Sequence, residues 1–222
     1  ENGKAAEEVL DFMVFDMKEK LERIGKLELL GEVAQKARAY YAKRPEAMHR
    51  AERERRITAL VNIGLVLRHH GDSDGALTVL REVIDRATRL AVDDPGAKSP
   101  PRNIAAARDQ IAAVLTDRNQ LDAAVAELRA AIAIREQIAA GDPATLRKRD
   151  IAVSRSILGR VLAAQDKYDE ALVERRAVLA IVEQIAAGDP SNDEFQRDVA
   201  ATICTQARER IAEHREQGHV IA

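Results

Sequence analysis

The sequence is poor in aromatic residues and nearly free of cysteine. Aromatic residues occupy 3% of its 222 positions and tryptophan is absent, so residue types that favour β-strands are scarce. The single cysteine, Cys204, cannot form an internal disulfide. No apolar run approaches the roughly 20 residues that a membrane-spanning helix requires. These shortages argue against a β-sheet protein, a disulfide-stapled secreted domain and a membrane span within this stretch of chain.

The sequence also lacks an excess of charge of either sign. Its 35 basic and 37 acidic residues leave a net charge of −2, which favours neither nucleic acid nor an anionic membrane as the partner. Hydrophobic residues make up 46% and charged residues 32%, as in globular rather than disordered chains. Alanine, leucine, arginine and glutamate are abundant, and all four favour helices. The composition therefore predicts an all-α globular protein.

The main positive feature is an internal repeat. The hexapeptide Ile-Ala-Ala-Gly-Asp-Pro ends at Pro143 and again at Pro190, and a related segment ends at Pro95, so the spacings are 48 and 47 residues. Three tetrapeptides after these prolines match in the same way, at residues 102–105, 149–152 and 197–200. Self-similarity at a fixed period of this size predicts a stacked repeat architecture.

Each repeat unit is predicted to hold two helices, because apolar residues recur at helical spacing in both of its halves. The predicted first helices include residues 46–70 and 145–165, and the predicted second helices include residues 121–140 and 169–187. The break between the two carries aspartate or asparagine, which accept amide protons at a helix start. Gly141 and Gly188 follow the second helices, each with a proline two residues on. We predict that these glycines end the helices in the left-handed conformation.

Small residues recur at a fixed distance within each unit. A glycine or alanine in the first helix is followed by an alanine in the second at Gly64 and Ala76, Ala112 and Ala124, and Gly159 and Ala171. In this pattern the sequence resembles the tetratricopeptide repeat (TPR), whose paired helices cross closely at small residues. The resemblance implies a right-handed α-solenoid of antiparallel helix pairs, a TPR-like superhelix. The usual repeat has about 34 residues, so the units here are extended.

The predicted domain organisation follows from the same resemblance. Residues 1–45 form an N-terminal helical cap or a degenerate repeat, since Gly25 lies 46 residues before Gly71. Residues 46–222 hold the TPR-like repeats, with units at 46–100, 101–143 and 144–190 and a final helix at 191–217. The N-terminal part also resembles a helical segment that precedes long repeats in large bacterial signalling proteins. That resemblance implies a bacterial parent protein and a cytoplasmic location, with any membrane anchor outside this fragment.

Few residues are placed for chemistry. His69 and His70 are metal-ligating residue types, but adjacent side chains on a helix point about 100° apart, so we interpret the pair as a polar helix end. Cys204 stands among alanines and Ile203 and is interpreted as a small packed residue. The sequence has no glycine-rich phosphate loop, paired metal motif or nucleophile elbow. We therefore predict no catalytic residue, no cofactor and no metal site, and a protein that is not an enzyme.

The remaining candidate site comes from the resemblance, because the first helices of tetratricopeptide repeats line a concave groove. Carried onto this chain, the groove positions select Val61, Leu65, Arg68, His69, Asp109, Thr116, Asp117, Ser156, Arg160 and Arg208. Arg160 and Arg208 occupy equivalent positions one repeat apart, and a guanidinium binds a carboxylate through two hydrogen bonds. The alternative is that these arginines pair with Asp109, Asp117 or neighbouring glutamates of the same chain.

The functional hypothesis is a non-catalytic scaffold or regulatory module that binds a protein or peptide on the concave face. Three alternatives stay open: a self-associating segment that forms a homo-oligomer, a small-ligand sensor, and a metal enzyme at His69 and His70. Because a fold does not determine a function, the choice among them depends on the surface of the folded chain.

Overall fold

The computed structural model describes residues 12–43, 49–141 and 145–188, and every regular element in these ranges is helical. The all-α prediction is therefore confirmed. The chain divides into two compact units, Glu1–Ile134 and Arg135–Ala222.

The described part of the first unit begins with a short helical pair. A π-helical turn, Phe12–Met17, continues into α1 (Lys18–Arg23), and a 3₁₀ turn, Leu27–Leu30, leads into α2 (Gly31–Ala42). The longer helices that follow are α3 (Arg50–His69), α4 (Ser73–Asp93), α5 (Ser99–Asp117) and α6 (Leu121–Gly141), the last of which continues into the second unit. Helix α3 packs against α2, α4 and α5, and α4 packs against α5. Successive helical hairpins thus share their apolar faces.

The second unit contains the end of α6 together with α7 (Thr145–Ala163) and α8 (Tyr168–Gly188), which pack against each other. Helices α6 and α8 begin and end within one residue of the helices predicted at 121–140 and 169–187. Helix α3 begins later than the predicted residue 46, at Arg50. The prediction of two helices per repeat is confirmed for the described ranges.

Helix starts use the signals that the sequence offers. The Asp72 carboxylate accepts a hydrogen bond of 2.9 Å from the Gly75 amide and so caps α4. Pro100 and Pro101 lie in the first turn of α5, where the missing amide proton has no partner to lose. These residues fix where α4 and α5 begin. The chain changes direction in the turn that precedes each helix.

The turn inside each pair contains one residue in the left-handed region. These residues are Gly71 with φ 90°, Asn119 with φ 57° and Asp166 with φ 61°. The amide after each donates back to the first helix, from Asp72 to Leu67 (2.9 Å), Gln120 to Leu115 (2.8 Å) and Lys167 to Leu162 (3.0 Å). This bond satisfies a carbonyl that the helix end would leave unpaired. The same turn therefore closes the first helix of all three pairs.

The left-handed ending predicted at Gly141 and Gly188 is wrong. Both glycines are the last helical residues of α6 and α8, and neither has a positive φ. The left-handed residue of such an ending lies just past the last helical residue, and both glycines are still inside their helices. The connection after α4 likewise begins without a left-handed residue, because Asp94 has φ −139°.

The turn at Gly25 matches the one at Gly71. Gly25 has φ 65°, and the amide of Lys26 donates to the Leu21 carbonyl at 2.9 Å. The equivalence favours the degenerate-repeat interpretation of residues 1–45, which we retain as a proposal. The boundary at residue 45 and the final helix predicted at 191–217 lie outside the described residues.

Small residues mark the close crossings of the paired helices, as expected. Ala76, Ala124 and Ala171 are fully buried. A Cβ atom added at Gly64 would lie 2.6 Å from Cδ2 of Leu80, so the leucine occupies the space that the glycine leaves. A Cβ atom added at Gly159 would lie 3.5 Å from the Ala171 carbonyl oxygen, an ordinary contact. The two equivalent glycines are therefore packed to different degrees.

Candidate functional site

The predicted groove residues lie on the first helices α3, α5 and α7. Val61 and Leu65 are half-buried on α3. On α5 the Thr116 hydroxyl donates to the Ala112 carbonyl at 2.8 Å, and Asp109 is only 7% exposed. None of these four side chains is fully exposed, since Asp109 is buried and the other three are half-buried.

Three predicted groove residues come together at the ends of α3 and α5. Arg68 Nη1 lies 3.3 Å from Asp117 Oδ2, and Arg68 Nη2 lies 3.0 Å from Nε2 of His69. Because a guanidinium only donates, His69 accepts at Nε2 and is neutral in this arrangement. The positive charge of Arg68 is therefore already paired with the carboxylate of Asp117 in the same chain.

The pKa of His69 is lowered in this cluster. Partial burial of the imidazole is the largest cause and the charge of Arg68 is the next, while Glu22, Asp117 and Glu28 act in the opposite direction. A proton on Nε2 would also end the hydrogen bond from Arg68. The folded chain therefore binds this proton less readily than the unfolded chain does.

This shift predicts a pH dependence of stability. Because the folded pKa lies below the unfolded value of about 6.5, the contribution of His69 is complete above that pH and is lost as the pH falls below it. Urea melts of the wild type and His69→Gln between pH 7.5 and 5 should show a steeper loss of unfolding free energy in the wild type. We expect a difference below about 1 kcal/mol because the side chain is largely exposed. Parallel pH curves for the two proteins would contradict this assignment.

On α7 the predicted groove residues form an exposed row. Ser156 and Arg160 are exposed, and Val153, one turn before Ser156, is 57% exposed. Seven residues separate Val153 from Arg160, which corresponds to about 10 Å along a helix. Within the described part of the chain, the Arg160 side chain makes no hydrogen bond or ion pair. We call Val153, Ser156 and Arg160 the α7 face.

Val153 was missed by the sequence reasoning, although its spacing to Ser156 and Arg160 is the helical signal that could have revealed it. The groove offsets of the tetratricopeptide repeat do not include its position. Arg208, the predicted counterpart of Arg160, and Cys204 lie outside the described residues.

A neighbouring arginine holds α7 in place. Arg155 Nη1 lies 2.6 Å from Glu174 Oε2 on α8, and Nη2 lies 2.5 Å from Glu136 Oε1 at the end of α6. Burial lowers the pKa of Arg155, but hydrogen bonds to Glu174 and Glu136 outweigh it and the pKa is raised overall. The guanidinium therefore stays charged and joins three helices of the second unit.

Comparison with known proteins agrees with this geometry. The family model described as tetratricopeptide repeat matches residues 56–95 and 104–142, which cover most of α3–α4 and of α5–α6. Both segments are tetratricopeptide repeats. The α7–α8 pair carries the same sequence pattern 47 residues further on.

Solved structures of TPR-like repeats share the fold. The nearly identical TPR-like repeats of a Podosopora anserina protein designated a kinesin light chain are similar with a TM-score of 0.51 and 16% identity, over 91% of this chain and 89% of that chain. A Q17M variant of the same repeats gives a TM-score of 0.50 and 17% identity, over 94% and 92% of the two chains. At this identity the likeness establishes the TPR-like solenoid fold alone. No curated protein matches the sequence significantly.

The described part of the chain offers neither a cluster of metal-ligating side chains nor a membrane-spanning helix. Among the described residues, no group of three or more histidine, cysteine, aspartate or glutamate side chains is arranged to hold a metal ion. The His70 ring lies over Gly31 at the start of α2, where an added Cβ would come within 2.1 Å of it. None of the described helices is both long and apolar enough to span a membrane.

Proposed function

We propose that this chain is a non-catalytic scaffold that binds a protein or peptide on its concave face, within a larger cytoplasmic bacterial protein. Tetratricopeptide repeats support a role in protein–protein interaction in general. The proposal of binding on the concave face rests on the α7 face. This face combines an exposed valine with an exposed arginine that has no partner in the described part of the chain.

The chemistry of the α7 face suits an acidic segment with a neighbouring apolar residue. A guanidinium donates two parallel hydrogen bonds to one carboxylate, and Val153 offers apolar contact about 10 Å away along the helix. Because Arg155 ties α7 to α8 and to the end of α6, the face is held in place before the partner arrives. A preorganised surface loses little conformational entropy on binding.

The first unit offers less to an acidic partner. Its groove arginine, Arg68, already contacts Asp117 and His69, so a partner carboxylate would have to displace both. We therefore place the charged part of recognition on Arg160, and on its predicted counterpart Arg208.

Arg160→Glu combined with Arg208→Glu should weaken partner binding about 10-fold or more, because it replaces attraction for a carboxylate with repulsion. The partner can be obtained as a peptide selected from a random library against the full chain, and its Kd measured on each variant by calorimetry. The single variant Arg160→Glu tests the contribution of Arg160 without any change at Arg208.

Arg176→Glu is the matched control, since Arg176 is an exposed arginine on α8 and the charge change per site is the same. We expect it to change the Kd by less than about twofold, as is typical of surface charges away from the interface. Equal affinities for the wild type and the Arg160 variants would refute the assignment of binding to the α7 face.

A further inference from the structure

We propose that Ser156 and Arg160 together bind one carboxylate of the partner. The guanidinium of Arg160 donates two of the hydrogen bonds, and the hydroxyl of Ser156 donates a third. Ser156 is then a specificity-determining residue, because its contribution depends on the negative charge of the group that it contacts. Since both residues belong to the α7 face, this assignment rests on the function proposed above.

The Ser156 hydroxyl has no hydrogen-bond partner in the described part of the chain, although the residue is exposed. Hydroxyl side chains inside helices can instead donate to the backbone carbonyl four residues earlier. Several described hydroxyls do so, namely those of Thr58, Thr78, Thr88, Thr116 and Ser154. The O–H group of Ser156 is therefore available to a partner, whereas those five are already used within their own helices.

Ser156 and Arg160 are neighbours on the surface of α7. Residues four positions apart on a helix have Cβ atoms roughly 5–6 Å apart. Helical side chains lean toward the N-terminus, so Arg160 can reach back over the turn that carries Ser156. Arg160 also makes no hydrogen bond or ion pair within the described ranges. The two residues thus offer their donors to the same space outside the helix.

A carboxylate matches this pair of donors. Two N–H groups of a guanidinium bind the two carboxylate oxygens in parallel, and each oxygen keeps a further lone pair for another donor. The single O–H of Ser156 can therefore bind the same carboxylate that Arg160 holds. A side-chain amide presents one oxygen and no charge, so it gains less from both residues.

The other described first helices do not carry this pair of residues. Val61 and Leu65 occupy the equivalent positions of α3, and Asp109 and Ala113 those of α5. Val61 and Leu65 have no polar side-chain group, and a carboxyl group stands on α5 at Asp109, which is buried. Among the described first helices, a hydroxyl beside an exposed guanidinium occurs at these positions on α7 alone.

The shared carboxylate position brings the two parts of the α7 face closer together. Val153 precedes Ser156 by three residues, which corresponds to about 4.5 Å along the helix, whereas the Arg160 backbone is about 10 Å away. A carboxylate bound over the Ser156 turn therefore lies beside Val153. The acidic and apolar residues of the partner should be neighbours on its surface.

The library-selected peptide provides the test, together with variants in which each acidic residue is replaced singly by its amide. Calorimetry gives the Kd of each peptide on the full chain as wild type, Ser156→Ala, Arg160→Gln and the double variant. We expect Ser156→Ala to weaken binding of the acidic peptide about 5-fold, because hydrogen bonds to charged groups are strong. With the amide peptide that binds most weakly, it should change the Kd by less than about twofold, since the charge is gone.

Thr88→Ala is the matched control, because it removes an exposed hydroxyl from α4 and should leave both affinities unchanged. If Arg160→Gln weakens binding and Ser156→Ala does not, the shared carboxylate site is refuted while the proposed function stands. Equal losses of the acidic and amide peptides on Ser156→Ala would also overturn it. A selected peptide without an acidic residue, or one that Arg160→Gln binds as tightly as the wild type, would refute the α7 face itself and this site with it.

Discussion

Gly64→Ala should lower the free energy of unfolding by about 1–3 kcal/mol, the usual cost of overpacking a close-packed core. The added Cβ would lie 2.6 Å from Cδ2 and 2.7 Å from Cγ of Leu80. Leu80 is itself fully buried, so it cannot swing into solvent to make room. The neighbouring helices α3 and α4 must then separate, or Leu80 must take a strained rotamer. Urea denaturation followed by circular dichroism measures the change.

Gly159→Ala is the matched control and should have the opposite effect. The added Cβ would find ordinary contacts, at 3.5 Å to the Ala171 carbonyl oxygen and 3.6 Å to Cγ of Arg175. Replacing a helical glycine by alanine reduces the freedom of the unfolded chain, which stabilises by about 0.4–1 kcal/mol. Equal destabilisation by the two alanines would show that the crossings are packed alike and would contradict the geometry described for Gly64.

Arg155→Leu should lower the free energy of unfolding by about 2–3 kcal/mol. Removing one partner of a largely buried ion pair leaves the other charge uncompensated. Here the substitution leaves two carboxylates, those of Glu174 and Glu136, without their counter-charge. The side chain of Glu174 is 17% exposed and that of Glu136 is 49% exposed, so most of the loss should come from Glu174.

Arg155→Leu combined with Glu174→Val introduces the residue types that α3 and α4 carry at the equivalent positions, Leu60 and Val79. The double variant also removes the Glu174 carboxylate that the single variant leaves without a counter-charge. We expect this double variant to recover to within about 1 kcal/mol of the wild type, as apolar replacements of buried ion pairs commonly do. Guanidinium melts of the two single variants and the double variant form a complete thermodynamic cycle. Additive losses in that cycle would mean that Arg155 and Glu174 do not interact as their 2.6 Å separation indicates.

Much of the fold was predictable because its signals are local. Helices α6 and α8 fall where apolar spacing and flanking breaks predict them, and Asp72 caps α4 as an aspartate at a helix start should. The left-handed residues were assigned to the wrong positions, because glycine occurs at Gly141 and Gly188, whereas two of the four left-handed turns in the described part of the chain use Asn119 and Asp166. The amino-acid type indicates tolerance of positive φ, but it does not show which position after a helix adopts that conformation.

The candidate site was predictable in outline and not in detail. The repeat offsets selected Arg68, Asp117 and Arg160 as residues that line one groove. They could not show that Arg68 contacts Asp117 while Arg160 remains exposed. Those outcomes depend on side chains from different helices, whose separation in sequence carries no information about which atoms meet. Val153 enters the site for the same reason, because its exposure is a property of the packed helices and not of the residue.

By itself, the sequence determined the helix pairs, their period of 47 or 48 residues and the small residues at the crossings, since each of these depends on interactions within a few helical turns. Only the tertiary structure decided that Gly64 has no room for a methyl group while Gly159 does, and that Arg155 bridges Glu136 and Glu174. Local periodicity specifies which face of a helix is apolar. The distance between two facing helices, and therefore the partner of each charge, results from the packing of all the side chains between them.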